Sequence, residues 1–242
     1  METHLERHGT FSSSSIWKLM TTDRSGTNFG APALKYIRQL QHELNLGRAL
    51  NKEVVSRATA WGNLCEQRVH DILPMGYSLV SKERLFHPTI QNYSGAPDLI
   101  KELTVADAKC PFSLEVFCDK IKALENIEIY KKEFPEDYWQ HISNAILLEN
   151  NGTPITHFEA IIYVPYKSEL EEVRELSRNF DGEKQNQFAF INWSEDNELP
   201  YLIEGGHYKN INIIRFPVKE SEKEFLISKI ISAGKLLKNF KS

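Results

Sequence analysis

Residues Ala96 to Phe112 read APDLIKELTVADAKCPF, and this stretch decides the fold. Its alternating apolar and polar residues predict two short strands, Ala96–Ile100 and Thr104–Lys109, joined by a tight connection. Period-two geometry sets Asp107 and Lys109 on one face of the second strand and turns Ala108 away. Asp98 lies at or near the end of the adjacent strand, so two carboxylates and one ammonium converge. An Asp-x-Lys string alone is common and usually marks a solvated strand face, and Pro-Asp before a turn is equally ordinary. The weight comes from their joint occurrence on neighbouring strands. Hydrolysis of a phosphodiester needs this equipment: hard oxygen ligands suit Mg²⁺, which acidifies bound water. A lysine beside them can orient or deprotonate that water and offset transition-state charge.

Two helices flank the stretch. Upstream, Ala60 to Leu73 (AWGNLCEQRVHDIL) places Glu66 among apolar residues. A solvated position would also explain Glu66, but its neighbours Asn63, Val69 and His70 form no salt-bridge ladder. Downstream, Asp137 to Leu147 (DYWQHISNAIL) carries Gln140 among aromatic and aliphatic residues, where an amide can hold a water or a phosphate oxygen, or simply satisfy the core.

Further out, Ser12–Ser14 can cap a short helix through Ile16, Trp17, Leu19 and Met20. A helix is expected from Ala33 to about Leu44, and Asn51 is expected to open another whose apolar face includes Val54, Trp61, Cys65 and Val69. Tyr77–Phe86 reads as one strand, Leu114–Ile129 and Pro135–Leu148 as helical, and His157–Val164 as a central strand. Ser168–Arg178 is an amphipathic helix, Asn210–Phe216 a late strand and Ser221–Lys238 a C-terminal helix. The segment from about Asp181 to Lys209 has no assignable pattern. Together these predict an α/β fold, a central mixed β-sheet flanked by helices. The 242 residues are read as a single domain: a helical part over about 1–75, a core over about 76–165 and a C-terminal extension over 166–242.

Composition narrows the function classes. The chain is 41% hydrophobic with no apolar run long enough to span a membrane, and METHLERHGT lacks a secretory signal's apolar stretch. Three cysteines without a C-x-x-C pair fit a reducing cytosol and leave neither a zinc ribbon nor a four-cysteine iron–sulfur cluster. The net charge of −4 permits a nucleic-acid partner without announcing one, since contact can come from a local groove.

Four stretches resemble the lambda exonuclease (YqaJ-like viral recombinase) family, within the PD-(D/E)XK (restriction-endonuclease-like) nucleases. Arg7-His8-Gly9 leading to Phe11 and the Ser12–Ser15 run resembles that family's Arg-x-Gly and following serine. Ala60-Trp61-Gly62 with Glu66 is similar to its Trp-Gly-x-x-x-Glu helix. Pro97-Asp98 and Asp107-Ala108-Lys109-Cys110-Pro111-Phe112 resemble its core, and Gln140 after Tyr138-Trp139 its glutamine helix. The resemblance runs from Arg7 to about Pro165. It implies that Asp98, Asp107 and the Ala108 carbonyl bind Mg²⁺, with Mn²⁺ able to substitute, and that Glu66 completes a second metal site or its water shell. Lys109 would act on the attacking water with Gln140 beside it, and Arg7 and Ser14 would hold a 5′-terminal phosphate. It further implies a 5′-to-3′ exonuclease on double-stranded DNA with a free end, in the cytoplasm of a bacterium or phage-infected host. A ring-shaped homotrimer and a single-strand annealing protein as partner belong to the same analogy. Asp107 stands where lambda exonuclease carries glutamate, and Leu99 replaces the glycine that usually follows Pro-Asp. The competing readings are an endonuclease of restriction or repair type and a catalytically inactive DNA-binding protein of the same fold.

Overall fold

Side-chain alternation along one six-residue strand sorts the molecule into two helical layers. The structure, a computed structural model, describes residues 8–50, 55–80, 84–180 and 185–239. In chain order come strand β1 (Phe11–Ser12), a 3-10 helix (Ser13–Met20), α1 (Ala31–Leu46), α2 (Arg57–Ile72), and strands β2 (Ser78–Leu79), β3 (Leu85–Phe86), β4 (Tyr93–Gly95), β5 (Leu99–Lys101) and β6 (Thr104–Lys109). Then follow α3 (Leu114–Ala123), α4 (Ile127–Glu133), α5 (Pro135–Asn150), β7 (His157–Tyr163), α6 (Leu170–Arg178), α7 (Ala189–Trp193), β8 (Ile211–Pro217) and α8 (Glu220–Asn239).

The main sheet has the order β2-β5-β6-β7-β8; only the β6–β7 pair is parallel. Val105 of β6 and Phe158, Ala160 and Ile162 of β7 face a core built with α1, α3, α5, α8 and the 3-10 helix. Ala106 and Ala108, with Ile161 and Tyr163, face a second core built with α2, α6 and α7. The predicted α/β sandwich is therefore present. A smaller sheet, β1-β4-β3, ties the N-terminal segment to the residues just before Asp98.

Local signals fix the ends. Gly47 closes α1 at φ +64°, a conformation glycine adopts without strain. The Ser56 hydroxyl accepts from the Thr59 N–H at the start of α2, so the helix opens there; the expected opening at Asn51, and Val54 with it, lie outside the described residues. The expected Leu114–Ile129 helix breaks in two, because Asn126 adopts extended backbone and caps α4 by accepting from the Glu128 N–H. Pro135 then starts α5 at its first turn.

Tyr77–Phe86 is not one strand. Ser78–Leu79 pairs with β5 in the main sheet, whereas Leu85–Phe86 pairs with β4 in the small one. Alternation cannot distinguish one long strand from two short ones serving different neighbours. In the unassigned stretch, α7 supplies Ile191 to the second core. The C-terminal stretch contributes β8, whose residues pair with all seven of β7.

Candidate active site

The ladder between β5 and β6 brings the acids together. Leu99 lies opposite Ala106, and continuing that register sets Asp98 opposite Asp107. The Asp98 carbonyl accepts from the Val80 N–H at 2.9 Å, on the β2 side, so Asp98 and Asp107 form a non-hydrogen-bonded pair. Side chains in such pairs stand closest, with Cα atoms about 4.5 Å apart. One step further the register sets Pro97 opposite Ala108. Proline has no N–H, so it cannot claim the Ala108 carbonyl, which fits that carbonyl for another partner.

Asp107 is 1% exposed. Its Oδ1 accepts from Gln140 Nε2 at 2.9 Å, and Gln140 Oε1 accepts from Lys109 Nζ at 3.1 Å. Lys109 Nζ also lies 2.7 Å from Asp107 Oδ2. That is a close charge contact without hydrogen-bond geometry, which leaves Oδ2 buried and without a hydrogen-bond donor. Asp107, Lys109 and Gln140 thus form a closed triangle between β6 and α5, on the face that alternation predicted. Glu66 reaches toward it from α2, in the opposite layer, and is half-buried.

The charges act on one another. Burial first, and then the Asp107 charge, push the Asp98 carboxyl up to about 9. Burial, then Asp107, raise Glu66 to about 7. Burial is the largest single influence on Asp107 and works against ionising it, but Lys109 together with the other polar groups around it holds that carboxyl below its usual range. Burial works likewise against the Lys109 ammonium, and Asp107, then Asp137, keep it firmly protonated. One carboxylate is ionised beside a lysine, and a neighbouring carboxyl keeps its proton because burial, and then the like charge beside it, disfavour a second carboxylate.

Among the described residues, no three His, Cys, Asp or Glu side chains are grouped so as to hold a metal ion. What remains is a smaller, open donor set: the Asp98–Asp107 pair, with Asp107 Oδ2 against the Lys109 ammonium, and the Ala108 carbonyl, to which Pro97 cannot donate. Oxygen-only, incomplete shells suit Mg²⁺, which retains several waters. The residues present fit such an ion.

α2 and the segment after β6 pack directly on each other: the Trp61 and Phe112 rings meet edge to face at 5.9 Å. Cys65 and Cys110 are buried beside them, and burial raises both thiols, so they are packing groups.

The serine run divides by role. Ser12 N–H donates to the Tyr36 hydroxyl at 3.0 Å, and the Ser13 hydroxyl is buried 2.9 Å from that of Ser143. Ser14 is exposed in the first turn of the 3-10 helix, which leaves it the accessible hydroxyl of those three. Ser143 lies one helical turn beyond Gln140 on α5, so this run sits against the helix that carries the site. Arg7 lies outside the described residues.

Sequence reasoning missed the polar groups behind the triangle. Asp137 is buried and ion-paired with buried Lys120 of α3. His141 is buried, stacked on Phe158 at 4.5 Å, with neither ring nitrogen hydrogen-bonded. Burial lowers it to about 4, so it is neutral. The signal available for Asp137 was its spacing, three residues before Gln140 on the same helical face; nothing local marked His141.

Solved structures share this architecture. An alkaline exonuclease from Laribacter hongkongensis superposes with a TM-score of 0.62 at 14% identity, over 96% of this chain and 90% of that one. The same protein in complex with dAMP gives 0.61 at 15% identity, with 96% and 90% covered. A phage-related exonuclease from Haemophilus somnus 129PT gives 0.57 at 13% identity, with 95% and 93% covered. No family model and no curated protein matches the sequence. At such identities the likeness is one of fold: the shared architecture is a mixed α/β one, a central sheet flanked by helices.

Proposed function

We propose that the protein is a Mg²⁺-dependent DNA exonuclease acting 5′-to-3′ on linear duplex and leaving single-stranded DNA for recombination. The observation that carries this reading is the triangle of Asp107, Lys109 and Gln140 with Asp98 paired across the ladder. Its fold is shared with proteins described as exonucleases, one of them alkaline. Asp98, Asp107 and the Ala108 carbonyl would hold Mg²⁺, or Mn²⁺ in its place, with Glu66 beside them. Bound there, the cation supplies positive charge against the scissile phosphate and acidifies water.

The chain's own groups do the rest. Asp107 keeps the proton on Lys109 Nζ, so Lys109 presents a cation to a phosphate oxygen or orients water by donation. Once the Asp107 carboxylate is engaged elsewhere, the same Nζ holds its proton less firmly, and after giving that proton to solvent the neutral amine can accept one from water. Gln140 fixes the spacing of the two by bonding both. Arg7 and Ser14 would hold the 5′-terminal phosphate, a charge-assisted contact at a helix N-terminus.

The test is digestion of labelled linear duplex in Mg²⁺, with 5′-phosphate or 5′-hydroxyl ends, beside a covalently closed circle. Degradation of the linear forms only, faster with the phosphate, is expected; cutting of the closed circle would establish an endonuclease instead. Lys109→Ala should lower the single-turnover rate by about 10²–10⁴ with nearly unchanged DNA affinity. Near-wild-type turnover in that variant would remove Lys109 from the chemistry.

A further inference from the structure

The charge of this chain is unevenly spread. Residues 13–48 hold five Lys or Arg against two acids, whereas the rest of the chain has an excess of seven negative charges. Both acids are already engaged locally. Asp23 accepts from the Ser25 hydroxyl at 2.6 Å and from the Asn28 amide at 2.9 Å. Glu43 accepts from the Gly9 N–H at 2.9 Å and the Leu50 N–H at 3.4 Å.

The cations are arranged on a helix face. α1 buries Ala33, Tyr36, Ile37, Leu40 and Gln41, and Lys35, Arg38 and His42 are exposed on its outer side. Spacings of three and four residues align these three in one row, about 10 Å long at 1.5 Å per residue. Lys18, from the 3-10 helix, extends the row, its ammonium 5.0 Å from the centre of the Tyr36 ring. Burial, then repulsion from Lys35, lower the Lys18 pKa, so like charges are held together with no ion-pair partner between them among the described residues. Elsewhere exposed cations such as Arg178 and Lys219 sit on carboxylates.

The row leads toward the site. Glu43, at its far end, holds Gly9, whose carbonyl accepts from the Asn92 side chain at 2.8 Å. β4 begins at the next residue and runs toward Asp98. The 3-10 helix carrying Lys18 is fixed to α5 by Ser13 and Ser143.

We propose that the outer face of α1, with Lys35, Arg38 and His42, together with Lys18, is a track for the phosphate backbone of duplex DNA, outside the groups that hold the reacting end. The assignment rests on the nuclease reading and adds to it a grip on the duplex independent of sequence. DNA carries one negative charge per about 1.7 Å of axis, so a row of this length spans several phosphates and relieves the Lys18–Lys35 repulsion. Contacts of this kind release counterions, which makes them separable from chemistry by their salt dependence.

The experiment is fluorescence anisotropy of the full chain on a labelled blunt duplex in Ca²⁺, across a salt series. It compares wild type with Lys35→Gln/Arg38→Gln and with a control on α8, Lys235→Gln/Lys238→Gln. Loss of two phosphate contacts should flatten the slope of log K against log salt by about two and weaken binding by about tenfold or more at low salt. The control should keep the wild-type slope and the wild-type rate of cleavage in Mg²⁺. An unchanged slope in the α1 variant, or an equal loss in the control, overturns the track while leaving the nuclease reading intact. A wild-type chain that neither binds nor cleaves duplex overturns the nuclease reading and the track with it.

Discussion

At the residue scale, the proton shared around Asp98 and Asp107 governs how the site answers pH and metal. The Asp98 carboxyl is raised from 3.8 to about 9 and Glu66 from 4.5 to about 7, both by burial first and the Asp107 charge second. A carboxyl raised on folding stabilises the folded state fully below its unfolded value, and that stability is lost as pH rises through the folded value. Asp107 has the opposite sign, but its window lies below 3.8. The metal-free protein should therefore lose stability between pH 5 and pH 9, measured by denaturant unfolding in EDTA. Asp98→Asn should flatten that decline, and a flat wild-type curve would show that the two carboxyls are not coupled. Protons and a divalent cation compete for the same oxygens, so Mg²⁺ should counter the decline. For the same reason the Mg²⁺ concentration giving half-maximal nuclease rate should fall as pH rises toward about 9.

At the element scale, the site depends on how α5 is held against α3 and the strands. Asp137, one turn before Gln140, pairs with Lys120 of α3; the two residues are 5% and 7% exposed. The Lys120 ammonium also lies 4.2 Å from the centre of the Phe134 ring, at the start of α5. Removing one partner leaves a buried charge uncompensated, which costs about 3–5 kcal/mol, whereas replacing both with apolar residues of similar volume is often neutral. Lys120→Met should thus lower unfolding free energy by about that amount, and Lys120→Met/Asp137→Leu should recover most of it. If the single variant were as stable as wild type, the pair would contribute nothing to the α3–α5 junction. The same junction shows the limit of local reading. The spacing of Tyr138, Trp139, Ile142 and Ala145 announced an apolar helix, and Gln140 stood out on it. Nothing within α5 announced that Asp137 would find Lys120 in α3, because that contact is set by how two helices stack.

At the scale of the whole molecule, the C-terminal stretch completes the sheet. β8 pairs along the full length of β7, and α8 supplies Leu226, Ile230, Ala233 and Leu237 to the larger core. Truncation before residue 207 exposes β7's edge and those contacts, each fully buried Leu or Ile contributing roughly 1.5–3 kcal/mol. The truncated chain should show no cooperative thermal transition; a folded product would mean that β7 tolerates a free edge. The sequence by itself determined the strands around Asp98 and Asp107, the face shared by Asp107 and Lys109, and the helices bearing Glu66 and Gln140. Each follows from periodicity, capping or a short motif, which act over a few residues. Only the tertiary structure decided that Gln140 bonds both Asp107 and Lys109, and that Tyr77–Phe86 divides between two sheets. It alone also decided that β1 pairs with β4, that His141 is neutral and buried behind the acids, and that Lys35, Arg38 and Lys18 lie near one another with no ion-pair partner among the described residues. Those outcomes depend on which distant groups meet and how far water is excluded between them, and desolvation and register are properties of the packed chain.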